Sequence, residues 1–474
     1  MTNGLPNWQE RYNAKFILTI RVRVLDAPGK LAELLETVAE AGASVGDIRI
    51  AGADSTHKVR DVQLFLTDEP RRKAAIAAVE GLDFVELLRV TDEVLEIHRG
   101  GTIETRARVP LATVMDLRMV YTPGVASVCE LIAHAPEAAR TYTTIANRIA
   151  IVTNGTAVLG LGDIGPVAGM PVMEGKAAIL AHFVGVSAEP VLLNSKNPDE
   201  IIDVVEHIAP GYGAIQLEDI AAPACFEIEE RLQARLDRPV FHDDQHGTAT
   251  VAVAGLINAL EQTGRSPADC RGVILGAGAA GQAIARFLVD FGIRDLVVCD
   301  SKGAISLNRT KGMDEWKRRL AGFTNPDGVD GAIADVITDR NLFIGVSRPN
   351  SVTRAMIESM APDSIVFALA NPVSEIPVSE ALAAGAAVAV DGRGMNNALA
   401  YPGIFRGALD AAATQITAAM KLAAARTLAA CATDGLLPDM LDHAVHAQVS
   451  AAVAAAWNPA DTRTEPSARV AART

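Results

Sequence analysis

The chain has 474 residues, of which 49% are hydrophobic and 4% aromatic. That length predicts about two to four domains, and the apolar content excludes a largely disordered chain. Its 43 Lys and Arg against 57 Asp and Glu leave a formal charge of −14. This charge argues against nucleic acid and anionic membrane surfaces as partners, and scarce aromatics remove a stacking platform for single strands. Five scattered cysteines, Cys129, Cys225, Cys270, Cys299 and Cys431, form no CxxC pair. A cysteine-pair zinc site is thereby excluded, and a reducing, cytoplasmic setting is expected. Met1–Arg11 shows no apolar signal segment, the run 149–162 is too short to span a bilayer, and the run 443–460 is interrupted by polar residues.

Residues 16–95 read as a small separate domain. Phe16, Leu18, Ile20, Val22 and Val24 alternate with Thr19, Arg21 and Arg23, the period of a half-buried strand. Asp26-Ala-Pro28-Gly29 predicts a turn, Leu31, Leu34, Leu35 and Val38 a helix, and Gly42 its stop. Strands around 45–51 and 61–66, a helix at 71–80 and a strand at 84–90 complete a βαββαβ, ferredoxin-like order. From Thr91 onward, glycine-rich loops alternate with apolar and helical stretches, the texture of α/β layers. Ala-rich helices are expected at 414–430 and 438–456, and the polar tail 458–474 reads as disordered.

The apolar strand 271–275 runs into Gly276-Ala-Gly278-Ala279-Ala280-Gly281, and a helix follows over 282–290. Gly276 permits the tight turn, Gly278 lets backbone approach a pyrophosphate, and Gly281 allows close helix–strand packing. The helix start offers free N–H groups to phosphates. A second strand, 296–299, ends in Asp300, where a carboxylate accepts from an adenine ribose. This is a Rossmann-type dinucleotide fingerprint that leans to NAD. Lys302 and Arg309 just beyond it leave NADP open as a 2′-phosphate ligand.

Upstream, Glu218-Asp219 and Asp243-Asp244 each follow an apolar strand-like run. Such strand ends are where α/β folds build sites. Read from the residues alone, these acids either gather around Mg²⁺ or Mn²⁺, which favour hard oxygen ligands, or serve as turn acids and helix caps. Lys176, in Met-Glu-Gly-Lys after a glycine-rich stretch, is either a surface lysine or a base whose pKa is lowered by an apolar site. Tyr121 in Tyr-Thr-Pro-Gly fits simple packing, and His242 and His246 read as structural histidines.

Together these motifs resemble malic enzymes, in the smaller bacterial form with an N-terminal ACT domain. The matches run in order through Tyr121-Thr-Pro-Gly, Pro171-Val-Met-Glu-Gly-Lys176, Leu217-Glu-Asp-Ile, His242-Asp-Asp-Gln-His-Gly-Thr248, Gly276–Gly281, Phe367-Ala-Leu-Ala-Asn-Pro372 and Tyr401-Pro-Gly-Ile-Phe. The resemblance implies an α/β fold with four parts: an ACT domain (16–95) open to a small effector, an α/β catalytic domain (96–246), a Rossmann-type domain with C-terminal helices (247–457), and the tail. It implies oxidative decarboxylation of (S)-malate to pyruvate with NAD(P) and Mg²⁺ or Mn²⁺, in a homo-oligomer. It makes Lys176 the base held by Asp243, Tyr121 the acid, and Glu218, Asp219 and Asp244 the metal ligands. Asn371 and Asn397 would orient substrate carboxylate and nicotinamide. A malolactic conversion, another malate-like 2-hydroxy acid, or a ligand-sensing pseudo-enzyme are the alternatives. Three departures bear on substrate fit: a short path from Asp391 to Asn396 and Asn397, Asn154 in place of Asp, and Ser187 in place of Asp.

Overall fold

The computed structural model describes residues 14–158 and 160–461, so the expectations for Met1–Arg11 and for most of the tail lie outside the described residues. The chain divides into two compact units between Glu104 and Thr105. The first contains β1 (Phe16–Leu25), α1 (Lys30–Glu40), β2 (Ser44–Ala53), β3 (His57–Leu66), α2 (Glu69–Glu80) and β4 (Val85–Asp92). Its antiparallel sheet has the order β2-β3-β1-β4, the ferredoxin-like arrangement expected. The alternation in β1 works as predicted. Leu18, Ile20, Val22 and Val24 are buried and pack with Leu34 and Val38 of α1 and Ala75 and Val79 of α2. Gly29 stands at φ 86° immediately before α1, a left-handed turn that glycine adopts without steric cost.

The second unit opens with α3 (Val114–Val120) and α4 (Val125–His134), followed by β5 (Arg148–Thr153), α5 (Pro166–Val184), β6 (Ser187–Leu192), α6 (Pro198–Ile208), β7 (Ala214–Leu217), α7 (Ala224–Arg235) and β8 (Val240–His242). These strands form a parallel sheet ordered β6-β5-β7-β8. A long helix, α8 (Asp243–Thr263), leads to the next layer: β9 (Arg271–Leu275), α9 (Ala279–Phe291), β10 (Asp295–Asp300), β11 (Gly303–Ala304), α10 (Glu315–Ala321), β12 (Leu342–Gly345), β13 (Ile365–Ala368) and β14 (Val388–Asp391). Its sheet runs β11-β10-β9-β12-β13-β14, parallel except for the two-residue β11. Helices α11 (Tyr401–Asp410), α12 (Ala418–Cys431) and α13 (His443–Ala455) close the unit.

Both sheets reverse strand order once, between β5 and β7 and between β9 and β12. Crevices at the carboxyl ends of the strands at such points bind ligands. The central strands are apolar over most of their length, as expected for sheets covered on both faces: Ile149–Val152 and Val273–Leu275 are buried.

Among the described residues one helix, α5, is long and apolar enough by composition to cross a membrane. Sequence reading weighs two other runs for that role, 149–162 and 443–460. In the fold α5 is a packed helix: Met173, Ala177 and Leu180 are buried at helical spacing, and it carries Lys176.

Candidate active site

Four carboxylates and one lysine meet where β7 and β8 end. The chain leaves β7 through Glu218, whose N–H donates to Val152 O at 2.9 Å. Asp219 follows at φ 54°, a left-handed conformation that Asp and Asn tolerate better than other side chains. Its N–H donates to Asp244 Oδ2 at 2.9 Å, which ties the two strand ends together. Asp243 and Asp244 occupy the first turn of α8, where the helix N-terminus favours negative charge. One ligand oxygen from each of Glu218, Asp219 and Asp244 lies within 4.8 Å of the others.

Lys176 reaches this group from α5. Its Nζ donates to Asp243 Oδ2 at 2.5 Å and lies 3.1 Å from Glu218 Oε1. A weaker contact at 3.4 Å reaches Asn397 Oδ1, and the Tyr401 ring centroid lies 4.6 Å away. The Lys176 side chain is only 12% exposed. The surface-lysine reading is therefore corrected, and so is the expected direction of its pKa. Burial alone would lower the ammonium, but Asp243 and Glu218 hold it well above the ordinary value. An apolar surrounding was legible in the sequence; the carboxylates facing it from β7 and α8 are what reverse the sign.

Burial raises the carboxyls. Asp219 is pushed up to about 8 by desolvation and then by Asp244 and Glu218. Asp243 is pushed up to about 7 by burial, against the pull of Lys176. Asp219 Oδ2 is buried without a hydrogen-bond partner. A buried oxygen left without a donor among like charges is unfavourable, and a hard divalent cation is the partner such a donor set fits. Glu218, Asp219 and Asp244 would hold it.

The glycine loop after β9 meets the same test for a dinucleotide. Gly276 has φ 123°, and a Cβ there would fall 2.5 Å from Val346 O. A Cβ on Gly281 would fall 1.9 Å from Gly276 O, whereas around Gly278 the space is open to 4 Å. Turn, packing and open cradle thus fall to the three glycines as the sequence implies, and Ala279 and Ala280 begin α9. Asp300 ends β10, and its carboxylate is engaged by Arg309 and Lys317. Asn371 follows β13 and lies against Gly392, where a Cβ would sit 2.5 Å from its Nδ2. Asn154 Oδ1 accepts from Thr156 Oγ1 at 2.6 Å, and Thr156 Oγ1 accepts from Ala221 N at 3.0 Å, so this departure braces the loop after Asp219. Ser187 starts β6 and is exposed.

Tyr121 stands apart. It caps the end of α3 and is 68% exposed. Its N–H donates to Leu117 O, and among the described residues no hydrogen bond joins its hydroxyl to Lys176 or the carboxylates.

Three further residues shape the site. Glu229 of α7 accepts from His242 N at 2.9 Å, Gln245 Nε2 at 2.8 Å and His246 Nε2 at 3.1 Å, which clamps the start of α8. His246 is thereby the structural histidine expected. Tyr401 supplies the ring beside the Lys176 ammonium. Gly247 leaves room for Asp243: a Cβ there would fall 1.9 Å from Asp243 Oδ1. A glycine inside a helix, four residues after an acid, is the one signal in the sequence that points to such a close approach. Gly247→Ala should improve helix propensity by roughly 1 kcal/mol yet displace the Asp243 carboxylate. The expected result is an unchanged or raised melting temperature with kcat lowered about tenfold or more, checked by calorimetry and steady-state rates on one preparation.

Fold and site define a dinucleotide-binding α/β protein with a lysine–carboxylate centre at a sheet switch point. Residues 100–198 and 194–233 match the malic enzyme N-terminal domain, and residues 245–395 match the malic enzyme NAD binding domain. The NAD-dependent malic enzyme of Geobacillus stearothermophilus is 43% identical over 88% of this chain and 88% of its own length. The bifunctional malic/malolactic enzyme of Bacillus subtilis is 47% identical over 78% of this chain and 93% of its own. The crystal structure of malic enzyme from Pyrococcus horikoshii superposes with a TM-score of 0.74 at 40% identity, over 77% of this chain and 89% of that one. The chain belongs to the malic enzyme family.

Proposed function

We propose that this protein catalyses the oxidative decarboxylation of (S)-malate to pyruvate and CO₂ with reduction of a nicotinamide dinucleotide. The observation that carries this reading is Lys176 hydrogen-bonded to Asp243 beside the three-carboxylate group, in a chain that also holds the glycine cradle. Lys176 is the base for the 2-hydroxyl proton, and Asp243 fixes its position. Asn397, 3.4 Å from Lys176 Nζ, and Asn371 orient the substrate carboxylate and the nicotinamide. A Mg²⁺ or Mn²⁺ ion, when bound by Glu218, Asp219 and Asp244, supplies Lewis acidity and offsets the carboxylate charge that keeps Lys176 protonated. Tyr121 protonates the carbon from which CO₂ has left. Its Phe variant should retain hydride transfer while losing the ability to convert enolpyruvate to pyruvate. Equal losses in the two half-reactions, measured separately, would contradict that division of roles.

Helices α3 and α4 contribute no buried residue, and Val114, Met115, Leu117 and Met119 are exposed. A homo-oligomer that covers this face fits both these exposed apolar side chains and the exposure of Tyr121; light scattering across a dilution series tests it. The N-terminal unit is read as an ACT-type module. A cleft of about 570 Å³ lined by Leu25, Lys30, His57 and Phe84 opens beside its first turn and suits a small effector. A cytoplasmic location fits the five free cysteines.

The test of the activity is turnover of (S)-malate with Mn²⁺ and each dinucleotide, followed by absorbance of the reduced cofactor. Turnover that a chelator abolishes is expected. No turnover at saturating cofactor and metal, together with no calorimetric Mn²⁺ site, would favour the pseudo-enzyme instead.

A further inference from the structure

Glu375, on the loop after β13, is fully buried, and backbone N–H groups hold its carboxylate. Its Oε1 accepts from Ser347 N at 2.6 Å, with a longer contact of 3.4 Å from Ser347 Oγ. Its Oε2 accepts from Ala370 N at 3.1 Å. Its backbone carbonyl accepts from Val352 N at 3.1 Å. Burial pushes the carboxyl up, and the Ser347 and Ala370 donors pull against that shift. A buried carboxylate is costly unless its hydrogen bonds are kept, so these contacts define one geometry.

The two loops that Glu375 joins both border the dinucleotide site. Ser347 follows Val346, which lies against the glycine cradle. A Cβ on Gly276 would fall 2.5 Å from Val346 O, and one on Gly281 would fall 3.3 Å from Val346 Cγ2. Val346 N in turn donates to Leu275 O, at the end of β9, at 2.9 Å. Ala370 precedes Asn371, the side chain read above as orienting substrate carboxylate and nicotinamide. Leu369 N donates to Gly345 O at 2.8 Å, so the two loops leave adjacent strands together. A Cβ on Gly345, the last residue of β12, would fall 2.5 Å from Glu375 Cδ. The absence of a side chain at Gly345 is what gives the carboxylate its place.

We propose that Glu375 is a positioning residue for the dinucleotide site: its two oxygens, accepting from Ser347 N and Ala370 N, set Asn371 relative to the glycine cradle. The inference rests on the reading of the cradle and Asn371 as dinucleotide residues. Each partner of the carboxylate is a donor, so two acceptors are needed. Glutamine is close in size but offers one acceptor and one donor group. Its amide nitrogen must face either Ser347 N–H or Ala370 N–H, and that contact is lost. A small displacement of an orienting side chain is costly even where the fold survives.

The test is calorimetric titration of the full chain with reduced dinucleotide, using the unaltered protein, Glu375→Gln, Asn371→Ala and the double variant. Glu375→Gln should raise the Kd about tenfold. On the Asn371→Ala background the same substitution should raise it less than about threefold, because residues that act through one another are not additive. At saturation, the fluorescence of the bound nicotinamide in Glu375→Gln should shift toward that of the free dinucleotide. Gly345→Ala, at a position without left-handed φ, displaces the carboxylate without removing it and should reproduce the Glu375→Gln loss. A Kd within twofold of the unaltered protein in both single variants, Glu375→Gln and Gly345→Ala, would overturn the inference. So would equal fold losses on the two backgrounds, which would leave Glu375 a packing residue. Failure of the dinucleotide to bind the unaltered chain would sink the dinucleotide reading itself, and this inference with it.

Discussion

Lys176→Ala should lower kcat for malate oxidation about a thousandfold, within the range that positioned acid–base groups contribute, while dinucleotide affinity stays within about threefold. The geometry gives two reasons. Lys176 Nζ is the cation hydrogen-bonded to Asp243, at 2.5 Å, and it lies 3.1 Å from Glu218, so no neighbouring group can take its place. The glycine cradle belongs to a different sheet and does not depend on it. Removing the ammonium also leaves Asp243 buried beside Glu218 with no partner for its charge, so the variant should melt at a lower temperature. Lys176→Met, similar in length and uncharged, separates proton transfer from packing; its kcat should fall as far as that of the alanine variant. If either variant keeps a tenth of the activity, Lys176 is not the base.

Asp219→Asn should move binding and stability in opposite directions. Asn is nearly isosteric with Asp and tolerates the φ of 54°, so the turn after β7 survives. The substitution removes a carboxyl whose ionisation desolvation and then Asp244 oppose at this position. The metal-free chain should gain about 1 kcal/mol of stability, the trade-off expected where a site stores unfavourable charge. Mn²⁺ affinity should fall about a hundredfold or more, because a neutral amide oxygen replaces a charged hard ligand. Thermal melting and Mn²⁺ calorimetry read the two effects independently. A variant that is less stable without metal, or that binds Mn²⁺ as tightly as before, would count against a built cation site.

What the sequence disclosed follows from how local each signal is. Strand, glycine loop and helix are consecutive from Arg271 to Phe291, so the cradle could be read from spacing alone, and the alternation in β1 disclosed the N-terminal sheet in the same way. The carboxylates lie at two strand ends about 25 residues apart; the rule that α/β sites gather at such ends made them candidates, but only the fold decides between a shared group and separate turn acids. Contacts across long separations were not legible. Tyr401 lies 225 residues from Lys176, and Glu229 clamps α8 through a buried network that no local pattern announces. The Lys176 pKa shift also depends on those distant carboxylates, so an inference from its own neighbours gives the wrong sign. Helix α11 begins Tyr401-Pro402-Gly403, and Pro402 fits because it sits in the first turn, where its missing N–H costs nothing. Asp300 shows the remaining case: the motif located the carboxylate, but not its hydrogen bond from Lys317, seventeen residues on.

Oxidation of malate and release of CO₂ at one site require net transfer of hydride to the dinucleotide. The most direct measurement uses (S)-malate deuterated at C2 with Mn²⁺, and quantifies reduced dinucleotide, pyruvate and lactate over the same time course. One pyruvate is expected for each reduced dinucleotide, with deuterium at C4 of the nicotinamide and no lactate. Lactate formed without accumulation of reduced dinucleotide would contradict it.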